Sequence, residues 1–231
     1  MQVVILAGGL GTRLWPVTKT VPKPMVPVGG EPYLAHQLRF LRAQGYDEVV
    51  ILTGYLGEQI EDHFANGAAL GMRIRYSREP APLGTGGALR HARHLLADEF
   101  LLIYGDSYLP IDYEVVEKRL LETGATAAVV LFEDVDGETN VVPNVDVDRD
   151  GFVTRYQKGS PEASLRYIDA GVLALRAAAV DLIPAGEKSS LEEQVFPRLI
   201  ERRSLAAVIT RQRFYDIGTP DRLGVIEALF R

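Results

Sequence analysis

The 231-residue chain contains no cysteine. That absence removes disulfide frameworks, thiolate nucleophiles and cysteine-ligated zinc from consideration. Positive charge is also scarce, with 25 lysines and arginines against 31 aspartates and glutamates and a formal net charge of -6. A general nucleic-acid binder shows a basic footprint, so no nucleic-acid partner is expected. No apolar run approaches the roughly 18 residues that read as a membrane span, so no membrane partner is expected either. The N-terminal MQVVILAGG has no basic leader, and its apolar run is too short for a signal-peptide core, which points to a cytoplasmic protein. Histidine is rare too. His36, His63, His91 and His94 all fall in segments read as helices and none has zinc spacing with other ligands, so they read as surface or satisfied side chains.

What remains is ordinary for a globular α/β domain, with 47% hydrophobic and 24% charged residues. Short β-branched runs predict strands at Gln2 to Leu6, Glu48 to Thr53, Met72 to Tyr76 and Phe100 to Tyr104. Between them, apolar residues at helical spacing predict helices at Pro32 to Gln44, Gly57 to Phe64 and Thr85 to Leu96. Such alternation predicts a mostly parallel sheet flanked by helices, with ligands at the carboxyl ends of its strands. The ends of the first and fourth strands, Gly8 to Arg13 and Gly105 with Asp106, should therefore share one crevice. After Gly124 the pattern becomes strand-rich, at Ala127 to Phe132, Val141 to Val147, Phe152 to Tyr156 and Ile168 to Leu175. Asp148 to Gly151 reads as a hairpin turn, and Thr219 to Phe230 as a last helix. The simplest organisation is one domain over 1–231, with halves at 1–124 and 125–231, the second of them strand-rich.

The strongest local signal is LAGGLGTRLWPVTKTVPKPMVPVGG, Leu6 to Gly30. Gly8, Gly9 and Gly11 free the backbone of Cβ atoms where the first strand ends, so its N–H groups can approach anionic oxygens. Arg13 can fork two N–H donors onto phosphate, and Lys23 is restrained between Pro22 and Pro24. A dinucleotide fingerprint fails because Leu14 stands where its third glycine or alanine should be, and no Gly-x-x-x-x-Gly-Lys-Ser/Thr phosphate loop occurs.

GGLGTRLWPVT followed by PKPMVPV resembles the signature of the sugar-1-phosphate nucleotidyltransferases. The resemblance implies a Rossmann-like, GT-A-like fold, a mixed and mostly parallel sheet with flanking helices and a strand-rich second half. It also implies Arg13 and Lys23 as the catalytic cations on the NTP phosphates, with Leu6, Ala7, Gly8, Gly9, Gly11 and Thr12 around the nucleotide. Further along, Glu79-Pro80-x-Pro82-Leu83-Gly84-Thr85-Gly86-Gly87-Ala88-Leu89 resembles the family's second nucleotide-binding segment, adding Glu79, Gly84 and Thr85. Tyr104-Gly105-Asp106 and Tyr215-Asp216-Ile217-Gly218-Thr219-Pro220 resemble its two aspartate strings, whose carboxylates, Asp106 and Asp216, would hold Mg²⁺.

On the sugar-phosphate side the resemblance implies Asp106, Lys158, Asp169 and Gly171. Gln157-Lys158-Gly159 departs from the family's Glu-Lys-Pro on both flanks of the lysine. Ser190-Leu191-Glu192 resembles a string found in several branches and reads equally well as a capped helix start. The expected partners are an NTP and a sugar 1-phosphate. Within the family, Pro82-Leu83-Gly84-Thr85-Gly86-Gly87-Ala88 together with Phe214-Tyr215-Asp216-Ile217-Gly218-Thr219-Pro220 most resembles the D-glycero-D-manno-heptose-1-phosphate guanylyltransferases, with mannose-1-phosphate guanylyltransferases and N-acetylmuramate-1-phosphate uridylyltransferases close behind. Glu79 could accept hydrogen bonds from the N1–H and 2-amino group of guanine, which favours GTP. A phosphocholine cytidylyltransferase and a non-catalytic nucleotide-sugar sensor stand as alternatives. Relatives are often dimers or tetramers, so a homo-oligomer is an open expectation.

Overall fold

The computed structural model describes residues 1–157 and 165–230. Strand β1 (Gln2–Ala7) is followed by the short pair β2 (Pro27–Val28) and β3 (Glu31–Pro32) and by helix α1 (Tyr33–Ala43). Two further strand-helix units follow, β4 (Glu48–Thr53) with α2 (Gly57–Phe64) and β5 (Arg73–Arg78) with α3 (Gly84–His91). Next come β6 (Glu99–Tyr104), β7 (Ser107–Tyr108), α4 (Glu114–Thr123) and β8 (Ala127–Phe132). The second half continues with β9 (Val145–Val147), β10 (Val153–Tyr156), β11 (Ile168–Arg176) and α5 (Ala177–Val180). It ends with α6 (Phe196–Glu201), β12 (Leu205–Thr210), β13 (Tyr215–Asp216) and α7 (Pro220–Leu229).

Seven strands form the central sheet in the order β12-β8-β11-β6-β1-β4-β5. Only β11 runs against its neighbours, so the sheet is mixed but mostly parallel. Side chains alternate across β1: Val3, Ile5 and Ala7 join the apolar cluster of α1 and α2, while Val4 joins that of α3, α5 and α6. Both faces are thus buried, which is why the strand reads as a continuous apolar run. From β1 the chain moves outward through β4 to β5, then returns to place β6 on the other side of β1. That reversal opens a crevice at the carboxyl ends of β1 and β6, where Leu6 faces Tyr104 and the Gly105 N–H donates to the Leu6 carbonyl at 2.9 Å.

Several expectations need adjustment. The helix expected at Thr85 to Leu96 ends as an α-helix at His91 and tightens into a 3₁₀ turn at Arg93–Leu95. Gln2 caps that end, donating to the Leu95 carbonyl at 3.1 Å and accepting from the Ala97 N–H at 2.9 Å. The strand expected at Val141 to Val147 begins only at Val145, because Pro143 has no N–H to give a ladder. The Asp148 to Gly151 hairpin is present, with Asp148 Oδ1 taking the N–H groups of Asp150 and Phe152. Helix α4 and edge strand β12 were not anticipated.

Candidate nucleotide-binding and catalytic site

A cavity of about 490 Å³ opens at the β1/β6 crevice. Twelve of the residues expected from sequence line it: Leu6, Ala7, Gly8, Gly9, Gly11, Thr12, Arg13, Lys23, Glu79, Gly84, Thr85 and Asp106. Each reaches the cavity for a local reason. Gly11 takes a left-handed conformation at φ +63, and a Cβ there would lie 3.1 Å from Lys23 Cβ and 3.2 Å from Thr18 Cγ2. Thr18 is buried and donates to the Gly11 carbonyl at 2.8 Å, so the glycine-rich loop is pinned from beneath. Lys23 is only 9% exposed, and its ammonium rests on Asp106 Oδ2 at 2.5 Å.

Glu79 closes another wall. One of its carboxylate oxygens accepts the Leu83 N–H at 2.9 Å, and the other lies against Gly8 and Gly54, where a Cβ would come within 2.8 Å and 2.6 Å of it. Burial raises the pKa of this carboxyl, opposed by the Leu83 N–H and by His91. Tyr104 lines the cavity, and its hydroxyl donates to Glu192 at 2.6 Å. Burial, then the charges of Glu192 and Asp169, push the Tyr104 pKa well up, so the hydroxyl stays protonated as a donor.

Of the two aspartates expected to share a metal, Asp106 lies in the turn just before β7 and Asp216 on β13, which pairs with β7. Asp216 is in register with Ser107, and the Ile217 N–H donates to the Asp106 carbonyl at 3.1 Å. Asp216 does not itself line the cavity; its Oδ1 takes the N–H of Gly218, which does, at 2.7 Å, and its carboxylate meets Arg222 at 3.0 Å. Both carboxylates therefore already draw a cation from their own chain. Among the described residues no three His, Cys, Asp or Glu side chains cluster at metal-ligand range. Two hard oxygen donors that leave other positions to water and phosphate fit Mg²⁺ rather than an all-protein metal cage.

The sugar-phosphate residues divide. Asp169 and Gly171 lie outside the cavity wall, with Asp169 accepting from the Tyr156 hydroxyl at 2.7 Å and from the Gly171 N–H at 2.8 Å. Lys158 lies outside the described residues. Ser190 caps a helical turn, accepting from the Glu193 N–H at 3.3 Å. Sequence reasoning named Glu192 only within the Ser190-Leu191-Glu192 string and missed Lys188 and Arg222. Glu192 is buried and accepts from Thr85 Oγ1 at 2.9 Å, Tyr104 at 2.6 Å and Ser190 Oγ at 2.5 Å. Lys188 lines the cavity, and Arg222 holds Asp216. No periodicity links these residues to the glycine-rich segments a hundred or more positions earlier; the one signal was the Ser190-Leu191-Glu192 string.

Residues 2–228 match the nucleotidyl transferase family, and the chain belongs to it. It is 33% identical over 221 residues to the D-glycero-alpha-D-manno-heptose 1-phosphate guanylyltransferase of Campylobacter jejuni, covering 96% of each chain. It is 30% identical to the mannose-1-phosphate guanylyltransferase of Mycobacterium tuberculosis, covering 96% of this chain but spanning 62% of that protein's length. The crystal structure of HddC from Yersinia pseudotuberculosis complexed with GMP-PN superposes with a TM-score of 0.83 at 29% identity, covering 100% of this chain and 99% of the other.

Proposed function

We propose that this chain transfers GMP from GTP to a sugar 1-phosphate and releases pyrophosphate. The observation that carries this reading is convergence at one strand-end crevice: a glycine-rich loop, Arg13, Lys23 and Asp106 line it, and Asp216 is joined to its wall through the Gly218 N–H. Support for guanine comes from Glu79, a carboxylate acceptor on the cavity wall, and from relatives that are guanylyltransferases. Among the described residues no helix is long and apolar enough to cross a membrane.

A sugar 1-phosphate is a monoester whose second pKa lies near about 6, so its attacking oxygen is already ionised at neutral pH. No general base is needed. The site's tasks are to align two polyanions and cancel their repulsion as negative charge builds on the departing pyrophosphate. Arg13 and the loop N–H groups bind the triphosphate, and Lys23, held in place by Asp106 and its flanking prolines, adds a fixed cation. Mg²⁺ held by Asp106 and Asp216 supplies further charge neutralisation when bound.

The test is pyrophosphate release with Mg²⁺, crossing five NTPs against a panel of sugar 1-phosphates. Release that requires GTP together with one sugar phosphate is the expected result; release with UTP instead would move the base assignment, and silence across the grid would leave a binding protein. Lys23→Ala and Asp106→Asn should each lower kcat by on the order of 10²–10³. Full Mg²⁺-dependent activity in Asp106→Asn would sink the metal assignment.

A further inference from the structure

The turn that carries Asp106 is held from three sides. From β1, the Leu6 carbonyl accepts the Gly105 N–H at 2.9 Å, and a Cβ on Gly105 would stand 2.5 Å from that oxygen. From just past β13, the Ile217 N–H donates to the Asp106 carbonyl at 3.1 Å. The third hold is a side chain. Gln37 on α1 is only 3% exposed, and its amide nitrogen donates to the Tyr104 carbonyl at 3.1 Å and to the Ser107 carbonyl at 2.5 Å. Those two carbonyls bracket Gly105 and Asp106, so one buried amide spans the turn from end to end.

An amide is the group this position requires. Two carbonyl oxygens face it, and a carboxamide brings two N–H donors on one nitrogen; a carboxylate would repel both oxygens, and an aliphatic chain would offer neither a donor. The arrangement is kept at a cost, because Gln37 Oε1 is buried without a hydrogen-bond partner. The side chain spends both donors on the turn and leaves its acceptor unmet, so it serves the turn rather than its own helix. What the turn presents is Asp106, the one charged residue at 104–107, whose Oδ2 seats the Lys23 ammonium at 2.5 Å on the cavity wall. A shift of about 1 Å in a positioned group can cost on the order of 10² in rate, so what fixes this turn bears on the chemistry.

We infer that Gln37 is a positioning residue of the transferase site. Its amide sets the height of the Asp106 turn over the crevice, and with it the carboxylate that seats Lys23 and helps hold Mg²⁺ when bound. The inference rests on the proposed transferase reading and adds to it a residue outside the cavity lining. Gln44 supplies a control. At the C-terminal end of the same helix its amide makes a similar clamp away from the site, donating to the Ile111 carbonyl at 3.2 Å and accepting the Tyr113 N–H at 2.8 Å.

The experiment compares the wild type, Gln37→Met, Gln37→Asn and Gln44→Met. It measures GTP binding by calorimetry with and without Mg²⁺, pyrophosphate release over a panel of sugar 1-phosphates, and Tm. Methionine matches the length of glutamine without a donor. Asparagine keeps the amide but is too short to span both carbonyls, and it carries the test if Gln37→Met does not fold. Each methionine substitution should lower Tm by roughly 5–10 °C. Only Gln37→Met should also lose about tenfold of the Mg²⁺-dependent gain in GTP affinity and about tenfold or more in kcat. Its KM for the sugar phosphate should stay within about twofold, with Gln37→Asn between it and the wild type. Gln44→Met should keep the wild-type gain and kcat within about twofold. Gln37 variants that lose Tm alone, as Gln44→Met does, overturn the positioning role, and so does a wild type whose GTP affinity ignores Mg²⁺. No pyrophosphate release by the wild type on any sugar phosphate overturns the transferase reading, and the positioning role with it.

Discussion

Two glycine-rich segments face the same cavity, and they need their glycines for different reasons. In the first, Gly9 has nothing within 4 Å of a built Cβ, while Gly8 and Gly11 leave room for Glu79, Thr18 and Lys23. Of these three glycines only Gly9 is open. In the second, the neighbour is the chain itself. A Cβ on Gly84 would stand 2.5 Å from the Ser189 carbonyl oxygen, one on Gly86 2.9 Å from Ser189 Oγ, and one on Gly87 2.8 Å from the Glu187 carbonyl oxygen. The N–H groups of Gly86 and Gly87 both donate to Ser189, and Ser189 donates back to Leu83. Glycine density after a strand therefore marks close approach without saying to what. Here the first segment leaves room for a ligand and the second seats the loop that carries Lys188.

The largest effect should come from breaking the second segment. Gly84→Ala meets backbone at 2.5 Å and must hold φ +75, so a loss of about 3 kcal/mol is expected from overpacking and left-handed strain. Thermal denaturation should show this as a Tm drop of roughly 6–12 °C. An unchanged Tm would mean that the 187–189 loop yields freely. Gly9→Ala sharpens the contrast. Its Cβ enters open space at an ordinary φ, so Tm should hold while kcat/KM for the NTP falls about tenfold if the triphosphate lies against that backbone.

The smallest effect concerns Glu79, which sits where the two segments meet. Burial raises its pKa, so the native state binds that proton more tightly than the unfolded chain does. Its ionisation thus costs stability as pH rises through the raised value, while acceptance of guanine N–H groups needs the ionised form. GTP affinity of the wild type should weaken on acidification sooner than for an exposed glutamate, and Glu79→Gln should be weaker but flat over the same range. Parallel pH profiles for the two proteins would remove Glu79 from base recognition.

Much of the fold was legible because local pattern and tertiary burial agree. Glu48–Thr53, Gly57–Phe64 and Ala127–Phe132 lie where β-branched runs and helical spacing put them. Helix α4 escaped because its apolar residues are split: Val116 and Leu120 are buried, but Val115 and Leu121 are exposed, which blurs the amphipathic stripe. Strand β12 is a short Ala-containing run whose identity comes from parallel pairing with β8, a contact between residues some eighty positions apart. The first loop, Asp106 and Asp216 were visible as strings, and Glu192 within Ser190-Leu191-Glu192, whereas Lys188 and Arg222 lie in segments without distinguishing spacing.

The sequence by itself determined the family, the alternation that builds a mostly parallel sheet, and the cations and carboxylates proposed for phosphoryl chemistry, since these depend on residue type and short spacing. Only the tertiary structure decided which glycines seat a loop and which stay open, that Lys23 rests on Asp106 and Arg222 on Asp216, and that Gln37 brackets the Asp106 turn. Those are meetings between distant segments, and their outcome is set by packing and by the pairing of buried charge, neither of which a local pattern records.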